Sequence, residues 1–183
     1  PAQSAVSSAQ AGASGLGSAA SAAVSSVSEA ISSSQSSLSS LSSAVESVYA
    51  NGSTSASDAA STLRSQAGVL DTQATSFASI KSTLEALPGS PVSQASLERL
   101  QAASDRLTEV ANGLRAAASE LDSKVANAEA GHATVNGLIA QARSAVDGLS
   151  SDYENNLRPQ LESLAATVAS AQSSLSAART SLA

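Results

Sequence analysis

The chain has 183 residues, of which 42% are hydrophobic, 2% aromatic and 13% charged, and its net charge is −6. Because it has no cysteine, it cannot form a disulfide framework or a thiolate metal site. The negative charge argues against nucleic acid as a partner, since nucleic-acid binding calls for clustered lysine and arginine. No stretch of the sequence approaches the ~20 apolar residues of a membrane span.

Small apolar residues recur three and then four positions apart through a background of serine and alanine. This spacing places their side chains on one face of an α-helix. Alanine allows helices to approach closely, which favours thin seams between helices over a thick core. We therefore expect an all-α protein, an elongated antiparallel helical bundle or coiled coil of long Ser/Ala-rich helices that forms a single domain over 1–183. The first seam comprises Val24, Val27, Ile31, Leu38, Leu41, Val45 and Val48.

The first two helices are predicted over residues 3–50 and 56–87. The Asn-Gly pair at 51–52 is typical of a helix end, because glycine readily adopts the left-handed conformation that closes a helix. The Pro-Gly-Ser-Pro sequence at 88–91 cannot continue a helix. It predicts a tight reversal between two antiparallel helices, with Ser90 as the cap of the next helix.

The remaining helices are predicted over 91–130, 132–157 and 159–183. The apolar spacing stays in phase through Gly131, which is more typical of a bend or a close helix contact than of a helix end, but we allow a break there. Pro159 lies inside the pattern and must kink the helix or begin a new one. Since the first and last helices match in length and composition, we expect them to pair antiparallel, with both termini at the same end of a rod.

The sequence offers almost no chemistry for catalysis or metal binding. A serine nucleophile needs a base, and a metal site needs clustered His, Cys or acidic residues, whereas His132 is the single histidine. His132 falls on the apolar seam, where a buried or half-buried structural imidazole is favoured over a ligand or a pH sensor. We therefore expect a protein that is not an enzyme, without catalytic residues, cofactors or a bound metal.

Tyr49 and Tyr153 are the two tyrosines of an aromatic-poor chain. Each lies beside a predicted discontinuity, Tyr49 next to the Asn-Gly pair and Tyr153 shortly before Pro159. A ring in such a position usually fills a gap in irregular packing, and this is the favoured interpretation. The alternative is contact with a protein partner, because tyrosine is enriched at interaction hot spots. Tyr49 and Tyr153 are therefore the candidate partner-contact residues.

From Tyr153 to Leu161 the sequence reads Tyr-Glu-Asn-Asn-Leu-Arg-Pro-Gln-Leu. Together with the Ser/Ala/Leu heptads before it, this segment resembles the extracytoplasmic region of the YhgE/Pip (phage infection protein) family. Members of that family carry a tyrosine, a short polar stretch and then Leu-basic-Pro-x-Leu before a final helix. That order is matched by Leu157, Arg158, Pro159 and Leu161. The regular L-x-x-G arrays of many relatives are missing from this sequence, which has only scattered glycines.

The resemblance implies a fragment of a larger bacterial membrane protein, with one membrane span before it and several ABC-2-permease-like spans after it. The absence of an initiator methionine at Pro1 leads to the same expectation of a larger protein. The chain would then be displayed at the cell surface, anchored in the cell membrane through those spans. The family is associated with bacteriophage adsorption or infection, and relatives occur in type VII secretion machinery. A phage protein is therefore an implied partner, and no catalytic residue is implied.

The leading hypothesis is a non-enzymatic, extracytoplasmic helical rod that displays or spaces a binding surface, with a protein or a second copy of the chain as its partner. One alternative is a structural part of an ABC-2-like transport machine or a type VII-like secretion machine. Another is the stalk of an adhesin or a signalling ectodomain. Self-association discriminates between them, because a machine or a stalk predicts a stable homodimer through a remaining apolar stripe, whereas a display module needs none.

Overall fold

The computed structural model describes residues 1–50, 56–89, 91–122 and 128–183. These ranges are almost entirely helical and contain no strand, which confirms the all-α helical bundle. None of the helices in these ranges combines the length and the hydropathy that a membrane span needs. The elements in chain order are α1 Ala2–Ala50, α2 Ala56–Glu85, α3 Gln94–Asp122, α4 Ala128–Asp152, a π-helical turn Tyr153–Leu157 (the π-turn), and α5 Arg158–Leu182.

Four helices pack side by side in a bundle that we call the head, formed by residues 23–49 of α1 together with α2, α3 and α4. Each helix contacts its two neighbours around a ring, with α1 and α3 both packed between α2 and α4. The helices alternate in direction, so that Arg64 near the start of α2 pairs with Asp122 at the end of α3. Leucines and one phenylalanine fill the centre without exposed surface: Leu41, Leu63, Leu70, Phe77, Leu100, Leu107 and Leu114.

The seam predicted for α1 forms one side of this core. Val27, Leu41 and Val45 are fully buried, whereas Val24 and Val48 at the margins are half-buried. Full burial of such a side chain contributes about 1.5–3 kcal/mol. The packing of this face, rather than helix propensity, holds a serine-rich helix in place.

A two-helix coiled coil extends from the head, and we call it the arm, formed by residues 2–22 of α1 and 161–182 of α5. Gln172 Nε2 donates a hydrogen bond to Ser14 Oγ (2.8 Å), so the two helices run antiparallel, as the sequence predicts. Two helices enclose a narrower seam than four, and few arm residues are buried. They are Ala20, Leu161 and Val168.

The two ends of the rod are far apart. Gln3 Nε2 donates a hydrogen bond to the Leu182 carbonyl oxygen (3.4 Å), so α1 begins where α5 ends, at the end of the arm remote from the head. At the other end of the rod, Tyr49 lies against His132. The helical path from Gln3 to Tyr49 spans about 70 Å at ~1.5 Å per residue. The molecule is therefore elongated.

The predicted boundary between the third and fourth helices, at 130–132, lies too late in the chain. α4 begins at Ala128, so Gly131 lies inside its first turn. A Cβ atom on Gly131 would lie 3.2 Å from the Glu120 carboxylate and 3.3 Å from the Tyr49 hydroxyl oxygen. Glycine at this position therefore permits a close contact between helices and does not end one.

The turn between α2 and α3 differs in detail from its prediction. Gly89 has a φ of 79°, a left-handed conformation that glycine adopts without strain and that suits the predicted reversal. α3 begins after Ser93, whose Oγ accepts a hydrogen bond from the N–H of Ser96 (3.3 Å) and so caps the helix. The predicted cap at Ser90 and the Asn-Gly pair at 51–52 lie outside the described residues.

α4 continues into α5 through the π-turn. The N–H of Arg158 bonds to the carbonyl oxygen of Tyr153, one residue further back than in an α-helix. Pro159 follows directly, in the first turn of α5, where a missing N–H is tolerated. The predicted boundary at Pro159 therefore falls beside the π-turn, where the helix of α4 continues into α5 without ending the rod.

Candidate interaction site at the tip of the head

Five polar side chains lie together at the end of the head remote from the arm, and we call them the tip: Glu46, Tyr49, Glu120, His132 and Asn136. Glu46 and Tyr49 are in the last turn of α1, and His132 and Asn136 are in the first turns of α4. Because α1 and α4 are antiparallel neighbours, the end of one meets the start of the other. Spacings of three and four residues put the members of each pair on one helix face.

Tyr49 and His132 form a stacked aromatic pair. Their ring centroids are 4.6 Å apart and their planes differ by 19°. Both are half-buried, with 29% of the His132 side chain exposed. A pair of this geometry contributes about 0.5–1.5 kcal/mol beyond the burial of its surface. The half-burial of His132 agrees with the favoured interpretation of its place on the seam.

Glu46 accepts hydrogen bonds from two residues of α4. Its Oε1 lies 2.9 Å from His132 Nε2 and 3.2 Å from Asn136 Nδ2. Since an ionised carboxylate can only accept, His132 Nε2 carries the proton in this contact. The hydrogen bond from His132 is the largest cause that lowers the pKa of Glu46, and the hydrogen bond from Asn136 is the second. The Glu46 side chain is 57% exposed, so water screens these interactions.

Burial raises the pKa of Tyr49 above its ordinary value of 10.0, and the negative charge of Glu120 raises it further. The absence of a side chain on Gly131 lets both groups approach α4. The Tyr49 hydroxyl consequently stays protonated over the physiological pH range. It can donate a hydrogen bond, whereas the carboxylates of the tip accept hydrogen bonds.

The tip has the chemistry of a binding surface. It combines two carboxylates with a tyrosine ring and an imidazole, a set that suits a partner offering arginine or lysine through ion pairs and cation–π contacts. Across the described residues, no group of three or more His, Asp or Glu side chains is placed to hold a metal ion. His132 Nε2, the atom a catalytic base would use, is bonded to Glu46.

Tyr153, the second candidate partner-contact residue, lies at the other end of the head. It is about 30 Å from His132 along α4 at ~1.5 Å per residue. Tyr153 is 5% exposed, and its hydroxyl donates to the carbonyl oxygen of Val24 (3.3 Å). Its ring packs into the core where the π-turn interrupts the α-helix. The structure therefore does not bring Tyr49 and Tyr153 together, and of the two, Tyr49 is the one at the surface.

Sequence reasoning did not identify Glu46 and Asn136 as partners of His132. Glu46 is one of two charged residues before position 50, the other being Glu29, and it lies one position from the seam. Asn136 follows His132 by four residues, on the same helix face. These signals were present, but the register that brings the end of α1 to the start of α4 cannot be read from either segment.

Comparison of the chain with protein-family models, with curated proteins and with solved structures finds no match.

Proposed function

We propose that this chain is a non-enzymatic, extracytoplasmic rod of a bacterial membrane protein, which displays the tip as a binding surface away from the membrane. The observation that carries the proposal is the hydrogen bond between Gln3 and Leu182, which joins the first and last helices at the end of the arm remote from the head. A chain anchored at both ends returns to one membrane plane when its ends meet. The tip then stands about 70 Å from the point of attachment.

The segment from Tyr153 to Leu161 adds support through its resemblance to the YhgE/Pip family. In a protein of that kind, the chain would lie between membrane spans and outside the cell. A rod that leaves the membrane and returns to it fits this position. Association of the family with bacteriophage adsorption makes a phage protein one proposed partner.

The chemistry of the tip favours a protein partner with basic side chains. Glu46 is more than half exposed, and Tyr49 presents a half-buried ring beside it. The net charge of −6 favours a basic partner over nucleic acid. The proposed contact therefore consists of arginine or lysine on the partner, paired with Glu46 and placed over the Tyr49 ring.

The exposed surface favours display by a single copy over the alternatives. Val69 at 44% and Leu182 at 46% are the strongly exposed large apolar side chains among the residues described. They lie on different helices and form no stripe along the rod. A transport or secretion machine, or an adhesin or signalling stalk, calls for a stable homodimer held by such a stripe. A homodimer is accordingly the less supported form.

A spacing measurement tests the proposal. The chain is attached by added peptides at both ends to vesicles that contain a lipid-borne acceptor dye. A donor dye is placed on a cysteine at Ser43 in the head or at Ser7 in the arm, both of which are exposed. The proposal predicts strong energy transfer from Ser7→Cys and weak transfer from Ser43→Cys, because about 54 Å of helix separates them. Equal transfer from both positions would contradict the display geometry.

Phage adsorption tests the proposed partner. Bacteria that display the chain are challenged with a panel of bacteriophages, and adsorption is compared with that to cells lacking it. The proposal predicts that some phage adsorbs better to displaying cells, that Tyr49→Ala or Glu46→Gln removes the gain, and that the surface control Val69→Ala does not. A gain that survives both tip substitutions would place the contact elsewhere.

A further inference from the structure

The helix that runs from α4 into α5 contains one residue more than its apolar seam calls for. Seam residues normally alternate by three and four, but Leu149, Tyr153, Leu157 and Leu161 are joined by three successive steps of four. The π-turn takes up the additional residue, because the N–H of Arg158 bonds five residues back. Absorption of this residue in the π-turn therefore decides which face of α5 packs on α1.

Asp152 lies directly before the π-turn and is 4% exposed. Its Oδ1 accepts hydrogen bonds from Arg99 Nη1 (2.9 Å) and Asn156 Nδ2 (2.7 Å). Arg99 belongs to α3 of the head and Asn156 to the π-turn, so one carboxylate oxygen connects the two. Asp152 Oδ2 is buried without a hydrogen-bond partner among the described residues. A half-satisfied buried carboxylate costs stability, which favours conformational specificity as the reason for its presence.

Two further hydrogen bonds join this junction to the head. The Tyr153 hydroxyl donates to the Val24 carbonyl oxygen (3.3 Å), and the N–H of Ser93 donates to Gln160 Oε1 (3.0 Å). Beyond Gln160, α5 packs along α1. If the π-turn became ordinary α-helix, so that the additional residue was no longer absorbed there, the whole of α5 would rotate by about 100°, since an α-helix has ~3.6 residues per turn. Val168 would then turn away from α1.

We propose that Asp152 is a conformational lock at the junction of head and arm. Its hydrogen bonds to Arg99 and Asn156 hold the additional residue in the π-turn and so fix the rotation of α5 against α1. When these hydrogen bonds are removed, the π-turn becomes α-helical in part of the molecules and α5 rotates to a second register against α1, while the head keeps its fold. The junction is then the place where the arm changes its rotation relative to the head.

Distances measured by double electron–electron resonance on the full chain test this proposal. Spin labels on cysteines at Ser8 and Ala177 report on the arm, and labels at Ser65 and Ala116 report on the head; all four positions are exposed. Asp152→Ala removes both hydrogen bonds. We expect a second arm distance displaced by about 5–10 Å, since a one-residue rotation carries a label around a helix ~10–12 Å wide. The head distance stays unchanged.

Three further variants separate the effect of the lock from a general loss of stability. Arg99→Met removes the donor on α3 and is expected to produce the same displaced arm population. Arg158→Gln removes an arginine from exposed ion pairs beside the π-turn, and as the matched control it leaves both distances unchanged. Deletion of Asn155 removes the additional residue itself. In that background, Asp152→Ala is expected to leave the arm distance as it was.

Three results would overturn the proposal. The first is an unchanged arm distance in both Asp152→Ala and Arg99→Met. The second is an equal change in arm and head, since Asp152 would then stabilise the whole bundle. The third is an arm displacement that persists after deletion of Asn155. If the deletion variant does not fold into helices, amide hydrogen exchange of Asp152→Ala takes the place of that experiment. We expect exchange at least tenfold faster than in the wild type in the arm alone. An equal acceleration in the head would contradict the lock.

Discussion

The side-chain amide of Gln3 donates a hydrogen bond to the backbone carbonyl oxygen of Leu182, with 3.4 Å between the two atoms. The two residues are 179 positions apart in the sequence, and their contact places the first turn of α1 beside the last turn of α5. Further along the arm, Gln172 donates to Ser14 in the same antiparallel arrangement. One helix, α1, therefore runs the length of the rod and belongs to both the arm and the head.

Neighbouring positions on α2 provide a test of the core of the head. Leu70 is fully buried, whereas Val69 is 44% exposed. We expect Leu70→Ala to lower the free energy of unfolding by about 2–5 kcal/mol, because it removes buried methyl groups and leaves a cavity. Val69→Ala should change it by no more than about 0.5 kcal/mol. Chemical denaturation followed by circular dichroism measures both, and a similar loss in the two variants would contradict the packing of α2.

The stacked rings of Tyr49 and His132 should be energetically coupled. A double-mutant cycle of Tyr49→Ala and His132→Ala is expected to give a coupling free energy of about 0.5–1.5 kcal/mol, since the rings are in contact. The matched control is a cycle of His132→Ala with Val69→Ala on α2, which should be additive within about 0.5 kcal/mol. Chemical denaturation supplies the values. Additive effects in the first cycle would show that the stack is not formed in solution.

Protonation of Glu46 should weaken the tip at low pH. The pKa of Glu46 is lowered in the folded chain, chiefly by the hydrogen bond from His132, so the folded state binds this proton less readily than the unfolded state. The contribution of ionised Glu46 to stability is therefore present above its ordinary pKa of 4.5 and is lost as the pH falls through the lowered pKa of the folded chain. The difference in unfolding free energy between the wild type and Glu46→Gln should shrink in that window. A difference that stays constant from neutral to acidic pH would contradict the hydrogen bonds to Glu46.

Titration of Tyr49 should report its surroundings directly. In a Tyr153→Phe background, Tyr49 is the one remaining tyrosine, and ultraviolet absorbance should show a pKa above 10.0. The Glu120→Gln substitution should lower that pKa only in part, because burial is the larger cause. The folded state favours the protonated form of the Tyr49 phenol. The contribution of Tyr49 to the stability of the fold is therefore present below pH 10.0 and is lost as the pH rises through the raised pKa of the folded chain. An ordinary pKa in the folded chain would place Tyr49 in open solvent.

The helical class and the pairing of the first and last helices could be predicted from the sequence. The spacing of Val27, Leu41 and Val45 identifies the buried face of α1, because side chains three and four residues apart share one side of a helix. The likeness in composition of the two end segments predicts their pairing, but not the difference in their lengths, because α1 has 49 residues and α5 has 25. The seams are local patterns, and local patterns are what a single sequence displays most clearly.

Two other features are harder to predict from the sequence. They are the break between α3 and α4, and the π-turn between α4 and α5. The apolar phase continues through Gly131, so no local pattern indicates that α4 begins at Ala128. Gly131 is explained by its contact with Tyr49 and Glu120, which requires the register between three helices. The steps of four around Tyr153 do signal an additional residue, but whether a helix absorbs it in a π-turn or in a bend depends on groups elsewhere in the fold.

At the tip, too, local spacing predicts the burial of a side chain, whereas its neighbours from other helices cannot be predicted. The place of His132 on the seam predicted a half-buried imidazole, and 29% of its side chain is exposed. Tyr49 and Tyr153 both lie beside discontinuities and could not be distinguished by sequence. Burial distinguishes them, because Tyr153 faces the centre of the bundle while Tyr49 lies at its end.

We expect the chain in solution to be an elongated rod with its two ends together, and small-angle X-ray scattering combined with light scattering measures its dimensions and its mass. A rod built on α1, about 73 Å long, predicts a radius of gyration of about 20–24 Å at the mass of one chain. A globular chain of this length would give about 16 Å. The larger value at monomer mass would support the display rod, whereas a value near 16 Å would contradict it.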